Sequence, residues 1–410
     1  MQKLFPTTFF VENRRRLREK LESDVPIVVT ANGLLQRGAD SSYPFVQDAN
    51  FWYLTGIDEP DITLVMTVSG EFLIVPVREG ARATFDGSID EQLLASNSGI
   101  TDIVNEAAGW KRLDGLLETG KRVATLAAAP GYLEQYGMYA NPARNRLLER
   151  LQKHTGELEL TDIRIILAHL RMIKQPAEIK ALQKAIDITN ESIAAAIAGQ
   201  RSRYTHEYQL EAELNRSFRA LGGRGHAFEP IIAGGPRACT LHYLANDAPL
   251  KADELVIMDV GAEYQHYAAD ISRTIALSKP TARQQAVYDA VLDVQAYAAT
   301  LMKPGALVRD NERKIERYMG KHLKTLGLIK KLDTEAIRHY FPHSTSHFLG
   351  LNVHDVGDYE QPLQAGCVLT VEPGIYIPEE GIGVRIEDDV LITEAGHQVL
   401  SAKLPRKLWL

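Results

Sequence analysis

Apolar and polar positions recur along this chain with two different periods, and the places where the period changes divide it. Short runs rich in Val, Ile, Leu and Thr at 27–30, 63–67 and 71–75 predict strands, and the last two flank Val68-Ser69-Gly70, a hairpin turn. A helical period runs over 14–21 and 142–153, so the first part predicts a mixed sheet with helices packed on it. Over 162–173, Ile163, Ile166, Leu167 and Leu170 keep helical spacing. Lys174-Gln175-Pro176 then interrupts the pattern, and Pro176 is suited to open a new helix because the first helical position needs no N–H. A domain boundary is expected there, giving domains 1–175 and 176–410.

The second part predicts long helices at 176–198, 206–221, 281–302 and 311–326. They are interleaved with hairpins. Strands at 256–260 and 267–274 flank Gly261-Ala262-Glu263-Tyr264, and strands at 368–377 and 384–393 flank 378–383. Helix pair and strand pair each occur twice, which predicts a duplicated α+β domain.

Composition narrows the possibilities. The 410 residues are 45% hydrophobic and 24% charged, as expected of a chain with a filled core. The net charge of −7 excludes the basic surplus of a nucleic-acid binder, and no apolar stretch approaches the length of a membrane span. Two cysteines, Cys239 and Cys367, fit a reducing compartment. Near the N-terminus the apolar Phe9-Phe10-Val11 precedes Arg14-Arg15-Arg16, the reverse of a secretory signal, so a cytoplasmic location is expected.

The candidate chemistry lies where charge interrupts the apolar runs of the second part. Asp259 divides Met258 from Val260, Asp270 lies in Ala268-Ala269-Asp270-Ile271, Glu372 follows Leu369-Thr370-Val371, and Glu387 follows Val384-Arg385-Ile386. Any one of these acids alone is explained more simply by an ion pair or a strand end. Four ionised carboxylates in apolar strands need more compensation than side chains nearby supply. Two divalent cations would balance four such charges, and the oxygen-rich set with one imidazole favours manganese or cobalt over a thiolate-type zinc site. The imidazole is expected from His347, although alone it would pass for a satisfied core histidine. Paired ions hold a hydroxide and stabilise an oxyanion.

At these residues the sequence resembles the aminopeptidase P and prolidase family of pita-bread metallopeptidases. The resemblance rests on Thr240-Leu241-His242-Tyr243, Met258-Asp259-Val260-Gly261-Ala262-Glu263-Tyr264, Ala269-Asp270-Ile271-Ser272-Arg273-Thr274, Ser346-His347-Phe348-Leu349-Gly350, Val353-His354-Asp355-Val356-Gly357, Thr370-Val371-Glu372-Pro373-Gly374-Ile375-Tyr376 and Val384-Arg385-Ile386-Glu387-Asp388-Asp389. Arg37-Gly38-Ala39-Asp40, Tyr43-Pro44-Phe45 and Phe51-Trp52-Tyr53-Leu54-Thr55-Gly56 resemble the amino-terminal domain of aminopeptidase P. The resemblance implies a pita-bread catalytic domain behind a smaller mixed α/β domain. It implies two metal ions held by Asp259, Asp270, His347, Glu372 and Glu387, with Asp270 and Glu387 bridging and Glu372 taking the proton of the attacking water. It further implies that His242 and His354 grip the scissile carbonyl, that Val353, Tyr376 and Arg385 border the proline pocket, and that Asp40 joins a relay with Arg385. Read by itself, His354 has an alternative role in hydrogen-bonding Asp355 to close a loop. His226, His339 and His343 are left without a role, His339 leaning structural.

The function so implied is hydrolysis of the bond between an N-terminal residue and proline. The expected substrates are Xaa-Pro dipeptides or short peptides with proline second, the expected metal is manganese (cobalt or zinc as alternatives), and the expected assembly is a homodimer or larger. The segment between Tyr376 and Arg385 is shorter than in some aminopeptidases P, which favours the dipeptidase. The alternatives are a methionine aminopeptidase-like enzyme, which shares the five ligands but usually lacks this amino-terminal domain, and a metal-free pita-bread module that binds peptides.

Overall fold

The computed structural model describes residues 4–21, 23–127, 133, 136–155, 158–198 and 203–408. The chain forms two compact units, 1–170 and 171–410, divided within the helix Arg164–Met172, a few residues ahead of Pro176.

The first unit is built on six strands, β1 (Ile27–Thr30), β2 (Thr63–Thr67), β3 (Gly70–Val75), β4 (Ile103–Asn105), β5 (Arg122–Thr125) and β6 (Glu159–Asp162), in the order β4-β3-β2-β1-β5-β6. β1 and β3 each run antiparallel to β2, whereas β4 lies parallel to β3, and β5 and β6 continue parallel from β1. The helices Glu106–Gly120 and Pro142–Thr155 bury Leu113, Leu117, Leu147 and Leu151 against Val28, Val65, Phe72, Ile74 and Val123 of the sheet. An aromatic cluster of Phe5, Phe9, Phe10 and Trp52 joins the helices Thr7–Leu21 and Ala49–Thr55. Aliphatic and aromatic burial of this kind is the main stabilising term.

The second unit repeats one plan. The helices Pro176–Ile197 and Glu207–Ala220 precede β7 (Gly225–His226), β8 (Ile231–Gly234), β9 (Leu255–Val260), β10 (Ala262–Tyr264), β11 (Tyr267–Ala268) and β12 (Ile271–Ala276). The helices Ala282–Leu301, Val308–Thr325 and Thr334–Tyr340 precede β13 (Val368–Val371), β14 (Gly374–Ile377), β15 (Ile382–Arg385), β16 (Asp388–Thr393) and β17 (Gly396–Val399). Pro176 occupies the first helical turn behind a Gln175/Glu178 capping box, and a Thr281/Gln284 box starts Ala282–Leu301.

The long strands expected at 267–274, 368–377 and 384–393 are each interrupted. β9 pairs with β12, then the same two arms re-pair as β10 with β11 beyond a joint at Gly261 and at Ala269-Asp270. β13 pairs with β16, then the arms re-pair as β14 with β15 beyond Glu372-Pro373 and Ile386-Glu387. Each hairpin therefore bends midway and passes from one small sheet into another. Gly261 permits the first bend, because a Cβ there would lie 1.7 Å from the Ala269 carbonyl oxygen. Pro373, which has no N–H to donate, sits at the second.

Candidate metal centre

Three of the four acids that interrupt the apolar runs lie in these joints rather than in strands. Asp270 is in the first, and Glu372 and Glu387 lie on opposite arms of the second; Asp259 stands in β9, just before the first bend. Their amides leave the ladders and find other acceptors. The Asp270 N–H donates to Asp389 Oδ2 at 3.2 Å, Glu387 N–H to the Ser272 carbonyl at 3.1 Å, and Glu372 N–H to the Thr345 carbonyl at 2.9 Å. The Glu387 bond ties the two hairpins to each other.

His347 comes from the segment running beside β13. Its N–H donates to Thr370 Oγ1 at 3.1 Å, and the Thr370 N–H returns to its carbonyl at 3.0 Å. Its Nδ1 lies 3.1 Å from the Phe348 carbonyl. A carbonyl only accepts, so a proton sits on Nδ1 and Nε2 is the nitrogen turned towards the acids. Nε2 lies 3.5 Å from Asp270 Oδ2 and 3.4 Å from Glu372 Oε1.

One ligand atom each from Asp270, His347 and Glu387 lies within 4.8 Å of the others. Burial raises the pKa of Asp270 and Glu387 well above the usual carboxyl range, and the surrounding carboxylates raise both further. Burial and Asp259 raise Glu372, against the pull of His347 and Arg385. Protons on these acids, or a cation between them, would relieve the repulsion. Among the described residues Asp259 Oδ1 is buried without a hydrogen-bond partner. This donor set fits divalent ions.

Arg385, at the end of β15, is a buried cation that enters the cluster. Its guanidinium donates to Asp259 Oδ2 at 2.6 Å, Ser272 Oγ at 2.8 Å and Tyr376 Oη at 2.9 Å. Ser272 Oγ in turn donates to Glu387 Oε2 at 2.8 Å. Asp259 thus shares one oxygen with an arginine and keeps the other for a ligand.

The remaining candidates divide. Tyr376, in β14, is buried, which pushes its pKa up to about 12. Val353 and His354 are in the loop 349–357, with the His354 ring 4.1 Å from that of His347 between centroids. Desolvation, then the imidazoles of His347 and His242, push His354 down to about 4, although one side of the residue reaches solvent. His242 is exposed beyond the short 3-10 helix Gly235–Cys239. Asp40 belongs to the first unit, exposed in the turn closed by the bond from Arg37 N–H to the Ser41 carbonyl.

Among the histidines left without a role, His343 joins the site. Its Nδ1 lies 2.8 Å from the Ser344 carbonyl, so its Nε2 accepts from Tyr376 Oη at 2.9 Å. Proton directions then run from Arg385 to Tyr376 to His343. No periodic signal marked this residue, since it lies in a loop. His339 is exposed 3.7 Å from Glu379, and His226 is packed on Phe218.

Comparison with known proteins agrees with this geometry. Residues 180–394 match metallopeptidase family M24, and residues 10–122 match the aminopeptidase P N-terminal domain. The Xaa-Pro aminopeptidase of Haemophilus influenzae is 33% identical over 98% of this chain and 96% of its own. Escherichia coli aminopeptidase P with the inhibitor Pro-Leu superposes with a TM-score of 0.87 at 31% identity, covering 98% of this chain and 96% of that one. The zinc-substituted form of the same enzyme, in complex with product, gives 0.88 at 31% identity and the same coverage.

Proposed function

The chain belongs to metallopeptidase family M24, and from that premise we propose that it is an Xaa-Pro aminopeptidase, releasing the first residue of peptides whose second residue is proline. The observation that carries this reading is the convergence of Asp270, His347 and Glu387 at the joints of two hairpins. The named relatives, matched over nearly their full length, favour an aminopeptidase over the dipeptidase expected from the short segment after Tyr376.

Asp259, Asp270, His347, Glu372 and Glu387 would hold two divalent ions, manganese first and cobalt or zinc as alternatives. Bound there, the ions lower the pKa of water and offset the charge of a tetrahedral oxyanion. The chain's own groups do the rest. Glu372, whose carboxyl is already raised by burial, is the proton acceptor for the attacking water and the donor to the leaving nitrogen. His354 and His242 hold the scissile carbonyl. Val353 and Tyr376, the latter oriented by Arg385 and His343, border the proline ring.

Proline explains why such equipment is needed. It lacks the N–H that many peptidases use to align a substrate strand, so alignment must come from the carbonyl and the ring. Its nitrogen is a tertiary amide and must gain a proton before the bond breaks.

The test uses metal-stripped protein reloaded with manganese, cobalt or zinc and offered Ala-Pro, Ala-Pro-Ala and Met-Ala-Ser. Release of alanine from Ala-Pro-Ala with the highest kcat/KM is expected. Cleavage of Ala-Pro alone restores the dipeptidase, cleavage of Met-Ala-Ser points to a methionine aminopeptidase, and no turnover with no bound metal leaves a peptide-binding module. Glu372→Gln is expected to lower kcat on the order of 10²–10⁴-fold with metal retained. Among the described residues no helix is long and apolar enough to cross a membrane. A cytoplasmic homodimer or larger assembly is part of the proposal, and light scattering on the eluted protein measures its size.

A further inference from the structure

We propose that a buried charge cluster of Arg171, Lys174 and Asp355 is a positioning device for His354, and so controls turnover from outside the cleft. The inference rests on the peptidase reading given above, in which His354 grips the substrate carbonyl.

His354 itself makes no hydrogen bond through its ring among the described residues, so its place is set by its backbone. The next residue is where that backbone is fixed. Asp355 accepts from the Arg171 guanidinium on Oδ1 and from Lys174 Nζ at 3.2 Å on Oδ2. All three side chains are 1% exposed. Burial drives the Asp355 pKa up, yet Arg171 and Lys174 outweigh it and leave the carboxyl below its ordinary range. A buried ion pair is weak evidence of stabilisation, because desolvation cancels much of the attraction. Its specific contribution is geometric.

The loop is shaped around this carboxylate. The Asp355 N–H donates to the Phe348 carbonyl at 2.8 Å, folding the segment back on itself. A Cβ on Gly350 would lie 2.1 Å from Asp355 Oδ2, and one on Gly357 would lie 2.1 Å from the Phe348 ring. The result brings His347 and His354 ring to ring at 4.1 Å. The same loop reaches the strand before the first joint. Glu178 accepts from Tyr267 Oη at 2.8 Å, and Ala268 N–H in the same strand donates to the Gly350 carbonyl at 2.9 Å. The bond from Ala268 to Gly350 ties the strand next to the Asp270 joint to the loop that carries His354.

The double variant Asp355→Asn/Lys174→Met removes one charge of each sign and avoids stranding an extra cation. With folding checked by circular dichroism and metal content by elemental analysis after manganese loading, two readings decide. Amides in 349–357 are expected to exchange with deuterium faster than in the wild type, with β9 and β12 unchanged. On Ala-Pro-Ala, kcat is expected to fall on the order of 10- to 100-fold, with a smaller change in KM. Lys174→Arg is expected to retain wild-type behaviour. Wild-type exchange and wild-type kcat in the double variant overturn the proposal. If that variant does not fold, Lys174→Met alone, which keeps the Arg171 pair, is read for the same two changes and overturns the proposal by showing neither. A wild-type protein that cleaves no peptide refutes the peptidase reading, while the exchange measurement still decides the clamp.

Discussion

The carboxyl of Glu312 is withdrawn from water by the helix that carries it and by the loop it supports, whose Thr345 N–H reaches both oxygens at 3.0 and 3.1 Å. Burial pushes its pKa up to about 7, against the pull of the Thr345 bonds and Arg338. The folded chain therefore holds this proton more tightly than the unfolded one. The stability it contributes is complete below a pH of about 4.5 and is lost as pH rises through about 7. Glu312→Gln removes that dependence. Between about pH 5 and pH 8 the variant is expected to gain on the order of 3 kcal/mol relative to wild type, read by urea unfolding; parallel pH profiles would contradict the assignment. At this scale the sequence is informative where charge breaks an apolar run, as at Asp259 and Glu387. It is silent at His343, which lies in an aperiodic loop and gains its role only by meeting Tyr376 from another part of the chain.

Among elements, the helices were legible because their periodicity and caps are local, as the Pro176 start shows. The bends in the hairpins were not. Apolar residues continue through 368–377 and 384–393 without a break in composition, and the bend depends on what a distant arm places opposite. Gly261 is the clearest case. Gly261→Ala forces a methyl into the Ala269 carbonyl and is expected to cost at least about 2 kcal/mol or to abolish folding. Gly115→Ala, with nothing within 4 Å of the added carbon in the helix Glu106–Gly120, is expected to be neutral or to stabilise by up to about 1 kcal/mol. Thermal unfolding of the two variants side by side checks the contrast.

For the molecule as a whole, a cluster of mutually repelling carboxyls is expected to make the second unit respond to a bound cation. A cation that binds only the folded state stabilises it by about 2.7 kcal/mol at a hundred times its dissociation constant. The melting temperature is therefore expected to climb with manganese concentration, to fall with a chelator, and to lose this response in Asp270→Asn. A melting temperature indifferent to metal would remove the electrostatic basis of the site. The pattern in the sequence changes near Pro176, whereas the structural division falls at Leu170 and Arg171, inside a helix whose period runs on without marking it. The acids at the hairpin joints have one more consequence. Since paired strands flank each joint on either side, exchanging such an acid removes no rung of a ladder. A lineage can thus shed its chemistry one residue at a time while its architecture survives, leaving a receptor for peptides it no longer cuts.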